Sequence, residues 1–119
     1  LNIDPVSLNI NQAIPCGLIL NELISNSLQF AFPDREKGNI DITLTRNDGH
    51  IYLSVEDDGI GVPEDFNIEE VQSLGITLIK ILSKQLRADR RIGNSDNGFK
   101  CSLIFEIKEE LKGSAGNIL

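Results

Sequence analysis

Aromatic side chains are scarce in this chain: five phenylalanines, one tyrosine and no tryptophan in 119 residues. A core built from this composition must be mostly aliphatic. With 40% hydrophobic residues, the length suits one domain and not two. Basic runs are absent as well. Eleven Lys and Arg against eighteen Asp and Glu give a net charge of −7. No basic stretch interleaves with aromatics, so nucleic acid binding is disfavoured on electrostatic grounds. No apolar run reaches the ~18 residues of a membrane span, and no signal-peptide pattern opens the chain. The domain itself is therefore expected to make no membrane contact. Cys16 and Cys101 lie far apart, with no His or Cys at metal-ligand spacing, which predicts two buried free thiols in a reducing, cytoplasmic setting. The opening Leu1-Asn2-Ile3 falls mid-pattern, which predicts a piece of a longer parent, soluble or membrane-anchored. Phosphate-loop lysine, G-x-S-x-G and H-E-x-x-H motifs are all missing, so the enzyme classes they mark have no support.

What is present is strong patterning. Val6-Ser7-Leu8-Asn9-Ile10 alternates as a half-buried strand does. A helix is predicted from about Gln12 to Phe32, with Asn11 as N-cap, Pro15 in the first turn and Pro33 as terminator. Ile40, Ile42 and Leu44 alternate with polar residues, Asn47-Asp48-Gly49 signals a hairpin, and Ile51, Leu53 and Val55 form the returning strand. The acidic segment from Glu64 to Gln72 reads as a loop. Leu74, Leu78, Ile79, Ile81, Leu82 and Leu86 mark a helix to about Arg87. Strands near Asp89–Ile92 and Phe99–Ile107 flank a turn at Asn94–Gly98. The order β-α-β-β-loop-α-β-β predicts an α+β two-layer sandwich. Residues 1–110 make up the domain, and 111–119 read as a flexible tail.

The most informative stretch is Val55-Glu56-Asp57-Asp58-Gly59-Ile60-Gly61. A strand ending on Asp57 holds a carboxylate at the sheet edge, and Gly59 and Gly61 open backbone dihedrals and close approaches denied to other residues. By itself this motif reads better as a turn with acidic decoration. Upstream, Glu22, Asn26 and Gln29 fall at i, i+4 and i+7 on an otherwise apolar helix, with Ser25 beside them. That stripe faces either water or a ligand. Downstream, Ser73-Leu74-Gly75 opens a helix, whose free N–H groups and dipole favour an anion.

Taken in order, Asn21-Glu22-Leu23-Ile24-Ser25-Asn26-Ser27, Asp57-Asp58-Gly59-Ile60-Gly61 and Ser73-Leu74-Gly75 resemble three boxes of one ATPase superfamily. They are the N box and the first and second glycine boxes shared by sensor histidine kinases, gyrase B subunits, ninety-kilodalton heat-shock chaperones and mismatch-repair ATPases. The resemblance runs from Leu8 to Ile107 and is nearest to the catalytic ATP-binding domain of a sensor histidine kinase. It implies the Bergerat-type ATP-binding fold, a mixed, mostly antiparallel sheet with helices packed on one face. It also implies ATP and Mg²⁺ as cofactors, Asn26 as the Mg²⁺ ligand and Asp57 as the reader of the adenine amine. Gly59, Gly61, Ser73, Leu74 and Gly75 would line the nucleotide, and Glu22 would act in catalysis. Asp58 falls at a variable position and is assigned to solvent, and the segment between Gly61 and Ser73 would form a short lid. Gln29 stands where many kinases carry a basic residue, which makes Lys100 the candidate for the missing charge. Gly98-Phe99 stands where relatives show Gly-Thr.

The implied activity is that of a protein histidine kinase, moving the γ-phosphoryl of Mg·ATP to a His on a separate dimerisation domain and then to a response regulator. His50 opens a strand after a turn and reads as a turn residue, so the phosphoacceptor is expected outside this chain. Two other readings stay open at this point. One is a stand-alone serine kinase or ATPase of the same superfamily, and the other is a non-catalytic nucleotide-binding or docking module.

Overall fold

The computed structural model describes residues 2–3, 7–31, 38–62, 67, 73–96 and 98–108. The elements run β1 (Asn2–Ile3), α1 (Ile10–Asn26), a π-turn (Ser27–Ala31), β2 (Ile40–Asn47), β3 (His50–Asp57), α2 (Leu74–Gln85), β4 (Asp89–Asn94) and β5 (Phe99–Glu106). The strands form one sheet in the order β1-β2-β3-β5-β4. β1 is parallel to β2, and every other pairing is antiparallel. The predicted α+β architecture holds, with two helices packed on a mostly antiparallel sheet.

The hairpin chemistry sets the register. Asp48 and Gly49 both have positive φ, 51° and 76°, which is the backbone twist a two-residue turn needs between right-twisted strands. Ile42 then meets Val55 and Leu44 meets Leu53, while on the other side Val55 meets Cys101, Leu53 meets Leu103 and Ile51 meets Phe105. Because side chains alternate along a strand, these residues share one face. Cys16, Ile19 and Leu23 of α1, with Ile79, Leu82 and Leu86 beyond them, complete the core over that face. Leu53 and Leu103 are fully buried, and truncating either to Ala would cost about 2–5 kcal/mol. Burial raises the Cys16 thiol pKa and pushes that of Cys101 up to about 12, against a smaller downward pull from Arg90. Both cysteines are free.

The first helix departs from its expected limits at both ends. It begins at Ile10, two residues before the predicted Gln12, because Asn9 and not Asn11 is the N-cap: the Asn9 side chain accepts the Gln12 N–H at 3.1 Å. Ile10 is therefore helical, and Ser7–Asn9 are not strand as predicted. The first strand lies at Asn2–Ile3 instead. Pro15 sits inside the helix. At the far end the α-helix stops at Asn26 and a π-turn carries on to Ala31. Phe32 and Pro33, the predicted lid apart from Val62 and Asn67, and the tail from residue 109 lie outside the described residues.

Gln12 fixes where α1 starts. Its buried amide donates to the Glu106 carbonyl at 2.8 Å and accepts the Lys108 N–H at 2.9 Å. The start of α1 is thereby tied to the end of β5, and the helix runs about 25 Å toward the opposite pole. α2 is N-capped by Ser73 and ends at Gln85, two residues before the predicted Arg87. Arg87 takes φ 53°, and bonds from Arg87 to the Lys84 carbonyl and from Ala88 to that of Ser83 close the helix end. Among the described residues, no helix is long and apolar enough to cross a membrane.

Candidate functional site

Asp57 is the last residue of β3 and shares the helix-facing side with Ile51, Leu53 and Val55, so its carboxylate points under the helices rather than into solvent. It is only 3% exposed. Three donors hold it. The Ser27 hydroxyl donates to Oδ2 at 2.9 Å, and the N–H groups of Gly59 and Phe99 donate to Oδ1 at 3.0 and 3.4 Å. A carboxylate oxygen can accept about two hydrogen bonds, so among the described residues Oδ2 keeps one acceptor direction for a further donor.

The carboxylate forms the floor of a cleft of about 340 Å³ between the two helices and the sheet. Leu23, Val55, Ile76, Ile79, Ile92 and Phe99 supply apolar walls, and Asn26, Ser27, Asp57 and Ser73 are the polar groups on its lining. An apolar slot with a few placed polar groups is the usual form of a small-molecule site.

The glycines have specific neighbours, and these belong to the protein itself. A Cβ on Gly59 would lie 2.3 Å from the Ala31 carbonyl oxygen, which accepts the Ile60 N–H at 3.1 Å. The π-turn thus delivers Ser27 to Asp57 and Ala31 to the glycine turn, an arrangement consistent with π-segments at functional sites. Gly98 presses equally closely on the Asp57 carbonyl, at 2.3 Å from its would-be Cβ. Gly75, in the first turn of α2, faces α1: its would-be Cβ lies 2.7 Å from Glu22 Oε2 and 3.6 Å from Asn26 Oδ1. The missing side chain lets an acid and an amide approach a helix N-terminus, where free N–H groups point outward.

The sequence-derived residues sort accordingly. Asn26, Asp57, Gly61 and Ser73 line one cleft, and Glu22 joins Asn26 beside Gly75. Gly59 packs behind the floor. Leu74 is 76% exposed and does not line the cleft. Ser25 and Gln29 are exposed, and Gln29 leaves the predicted stripe because it lies in the π-turn, which winds more widely than the 3.6-residue repeat that aligned it with Asn26. Lys100 is a correction to the expected set. It alternates with core-facing Cys101 and lies across from Glu56 on the open face of the sheet, in a trough with Tyr52, Arg91 and Ser102. Asp58 is also corrected. It is half-buried and accepts the Asn39 backbone and side-chain N–H groups at 2.9 and 3.1 Å. Ser27, which no periodicity argument singled out, is the missed member of the site.

His50 opens β3 and Asp57 closes it, so about 23 Å of extended strand separates them. Its Nδ1 sits 3.0 Å from the Asp48 carbonyl oxygen in the turn.

Comparison with known proteins agrees with this geometry. Residues 11–117 match the family model described as histidine kinase-, DNA gyrase B-, and HSP90-like ATPase. The chain is 31% identical over 108 residues to blue-light-activated histidine kinase 2 of Erythrobacter litoralis, covering 90% of this chain and 31% of that protein. It is 30% identical over 76 residues to the sensor histidine kinase PdtaS of Mycobacterium tuberculosis, covering 63% of this chain and 15% of that one. The solved histidine kinase domain of an Erythrobacter litoralis blue-light activated histidine kinase superposes with a TM-score of 0.82 at 28% identity. That match covers 89% of this chain and 49% of the solved chain. The chain therefore spans less than a third of these two curated relatives.

Proposed function

The chain belongs to the histidine kinase-, DNA gyrase B- and HSP90-like ATPases and is an ATP-binding domain of the histidine kinase type, and we propose that with Mg²⁺ it transfers the γ-phosphoryl of ATP to a histidine on a separate dimerisation domain. The observation that carries this reading is the buried Asp57 carboxylate on the floor of an apolar cleft, with an acceptor direction to spare among the described residues. A donor such as the adenine amine satisfies that acceptor. A guanine keto oxygen in its place would set acceptor against acceptor, which is the kind of mismatch that discriminates strongly.

The other end of the cleft suits phosphate and a cation together. The N–H groups opening α2 favour an anion, yet the Glu22 carboxylate beside Gly75 would repel one unless a cation lay between. Mg²⁺ takes hard oxygen donors and draws many of them from phosphate and water. Asn26 Oδ1 is a neutral donor of that type, and no cluster of three or more acids, His or Cys occurs among the described residues to hold a metal without the phosphates. When bound, the cation would neutralise charge developing on the phosphate oxygens.

Asn26 would hold the metal, the first turn of α2 would cradle the phosphates, and Asp57 would orient the base. In transfer the bond from the γ-phosphorus to the ADP oxygen breaks and one to an imidazole nitrogen forms. Glu22 orients the incoming imidazole and takes its proton. A response regulator then receives the phosphoryl group, and the whole proceeds in the cytoplasm.

The test combines the chain with a purified His-bearing dimerisation domain of its parent kinase and labelled ATP. Acid-labile label on the dimerisation domain is expected, dependent on Mg²⁺, and Asn26→Ala should lose the Mg²⁺-dependence of ATP binding while keeping adenosine recognition. Failure of the native chain to bind ATP would overturn the reading.

A further inference from the structure

Asn94, the last residue of β4, is absent from the cleft lining, yet its side chain reaches the residue where the glycine turn ends. The Val62 N–H donates to Asn94 Oδ1 at 2.8 Å, and Asn94 Nδ2 donates to the Val62 carbonyl at 2.8 Å. One amide thus serves both backbone groups of one residue, as an adjacent strand would. Asparagine suits the task because it carries a donor and an acceptor side by side.

Gly61 makes the contact possible. Its φ is +73°, and a Cβ there would fall 2.4 Å from Asn94 Oδ1. Both the left-handed backbone and the room for the amide require glycine. Val62 itself is a wall of the cleft, together with Phe99 and Ile92. Asn94 pairs with Phe99 across the β4–β5 ladder, and the Phe99 N–H returns to Asp57. The floor, the glycine turn, the wall at Val62 and the edge hairpin therefore form a closed circuit of contacts.

We propose that Asn94 is a positioning residue of this site, holding Val62 and the exit of the glycine turn in the conformation that receives the nucleotide. The inference rests on the nucleotide-binding reading given above. Without the amide, the two backbone groups of Val62 turn to water and the turn samples more conformations. A ligand must then order them on binding, and that cost appears as lost affinity.

The experiment measures ADP affinity and Val62 amide hydrogen exchange on the 119-residue chain, comparing native protein with Asn94→Ala. The expected result is about tenfold weaker ADP binding and at least about tenfold faster exchange at Val62, with the β4–β5 ladder amides as protected as before. Unchanged ADP affinity would overturn the proposal. So would a loss accompanied by general loosening of the ladder, since that marks a role in folding alone. Asn94→Asp keeps the shape and the acceptor should the alanine variant fail to fold. It should keep Val62 N–H protected while binding ADP more weakly than native, and native affinity in that variant would count against the proposal. Native protein that binds no ADP would instead sink the nucleotide-binding reading, so the two failures are distinct.

Discussion

The Ser27 hydroxyl donates to Asp57 Oδ2 at 2.9 Å, and both residues are buried, Ser27 at 6% and Asp57 at 3% exposed. This bond crosses from the π-turn to the end of β3 and holds the floor of the cleft. Ser27→Ala removes a hydrogen bond to a carboxylate and leaves Oδ2 less satisfied in a buried place. A stability loss of about 1.5–3 kcal/mol is expected, with ATP affinity falling several-fold. Asp57→Asn keeps the shape but sets an amide N–H₂ or a weaker acceptor at the base, so preference for ATP over GTP should vanish. Titration of both nucleotides against both variants checks the pair, and equal native affinity for ATP and GTP would remove Asp57 as the base reader.

Glu22 approaches the first turn of α2 through the space that Gly75 leaves open. Glu22→Gln should keep Mg·ATP affinity near native and slow phosphoryl transfer about 10²–10⁴-fold, the usual worth of a positioned acid–base group. Gly75→Ala should imitate the rate loss, since its Cβ would fall 2.7 Å from Glu22 Oε2 and displace the carboxylate. Single-turnover transfer to the dimerisation domain, measured beside affinity, decides the matter. An unaltered rate in Glu22→Gln would take that residue off the catalytic list.

Isolated chain should not label itself. His50 lies at the opposite end of β3 from Asp57, about 23 Å away along the strand, and in-line transfer needs reacting atoms about 3–3.5 Å apart. Acid-labile label on the isolated chain after incubation with ATP would contradict this.

Cys101 predicts an alkaline limit to stability. Burial lifts its pKa from 9.0 to about 12 in the folded state, so the native protein retains a proton that the unfolded chain gives up. The stabilisation is fully present below about pH 9 and is lost as pH rises toward 12. The difference amounts to something on the order of 4 kcal/mol. Thermal midpoints between pH 8 and 11 should fall with pH, and the slope should be shallower in Cys101→Ala. Equal slopes would show that other groups set the limit.

Much of the fold was legible because local rules and tertiary packing agree in this chain. Asp48-Gly49 can adopt the left-handed pair of dihedrals a tight hairpin needs, and the alternation of Ile51, Leu53 and Val55 commits one face to the core. Ser73 could be read as an N-cap for the same local reason. The first helix was harder, since Asn9 and Asn11 are equally good caps by residue type. The choice fell to Asn9 because Gln12, in the helix's first turn, bonds to Glu106 and Lys108 across the fold.

The sequence by itself determined the order of elements, the family resemblance and the acid at the end of β3, because each depends on periodicity or on a short motif. Tertiary structure alone decided which side chains meet. It replaced Gln29 with Ser27 through a π-turn that a 3.6-residue repeat does not anticipate. It turned Lys100 to the open face of the sheet, since one step along a strand reverses a side chain. It also brought Asn94 to Val62 across 32 residues of chain. A contact of that range leaves no local trace in sequence, because the two partners share no period and are joined only by the sheet between them.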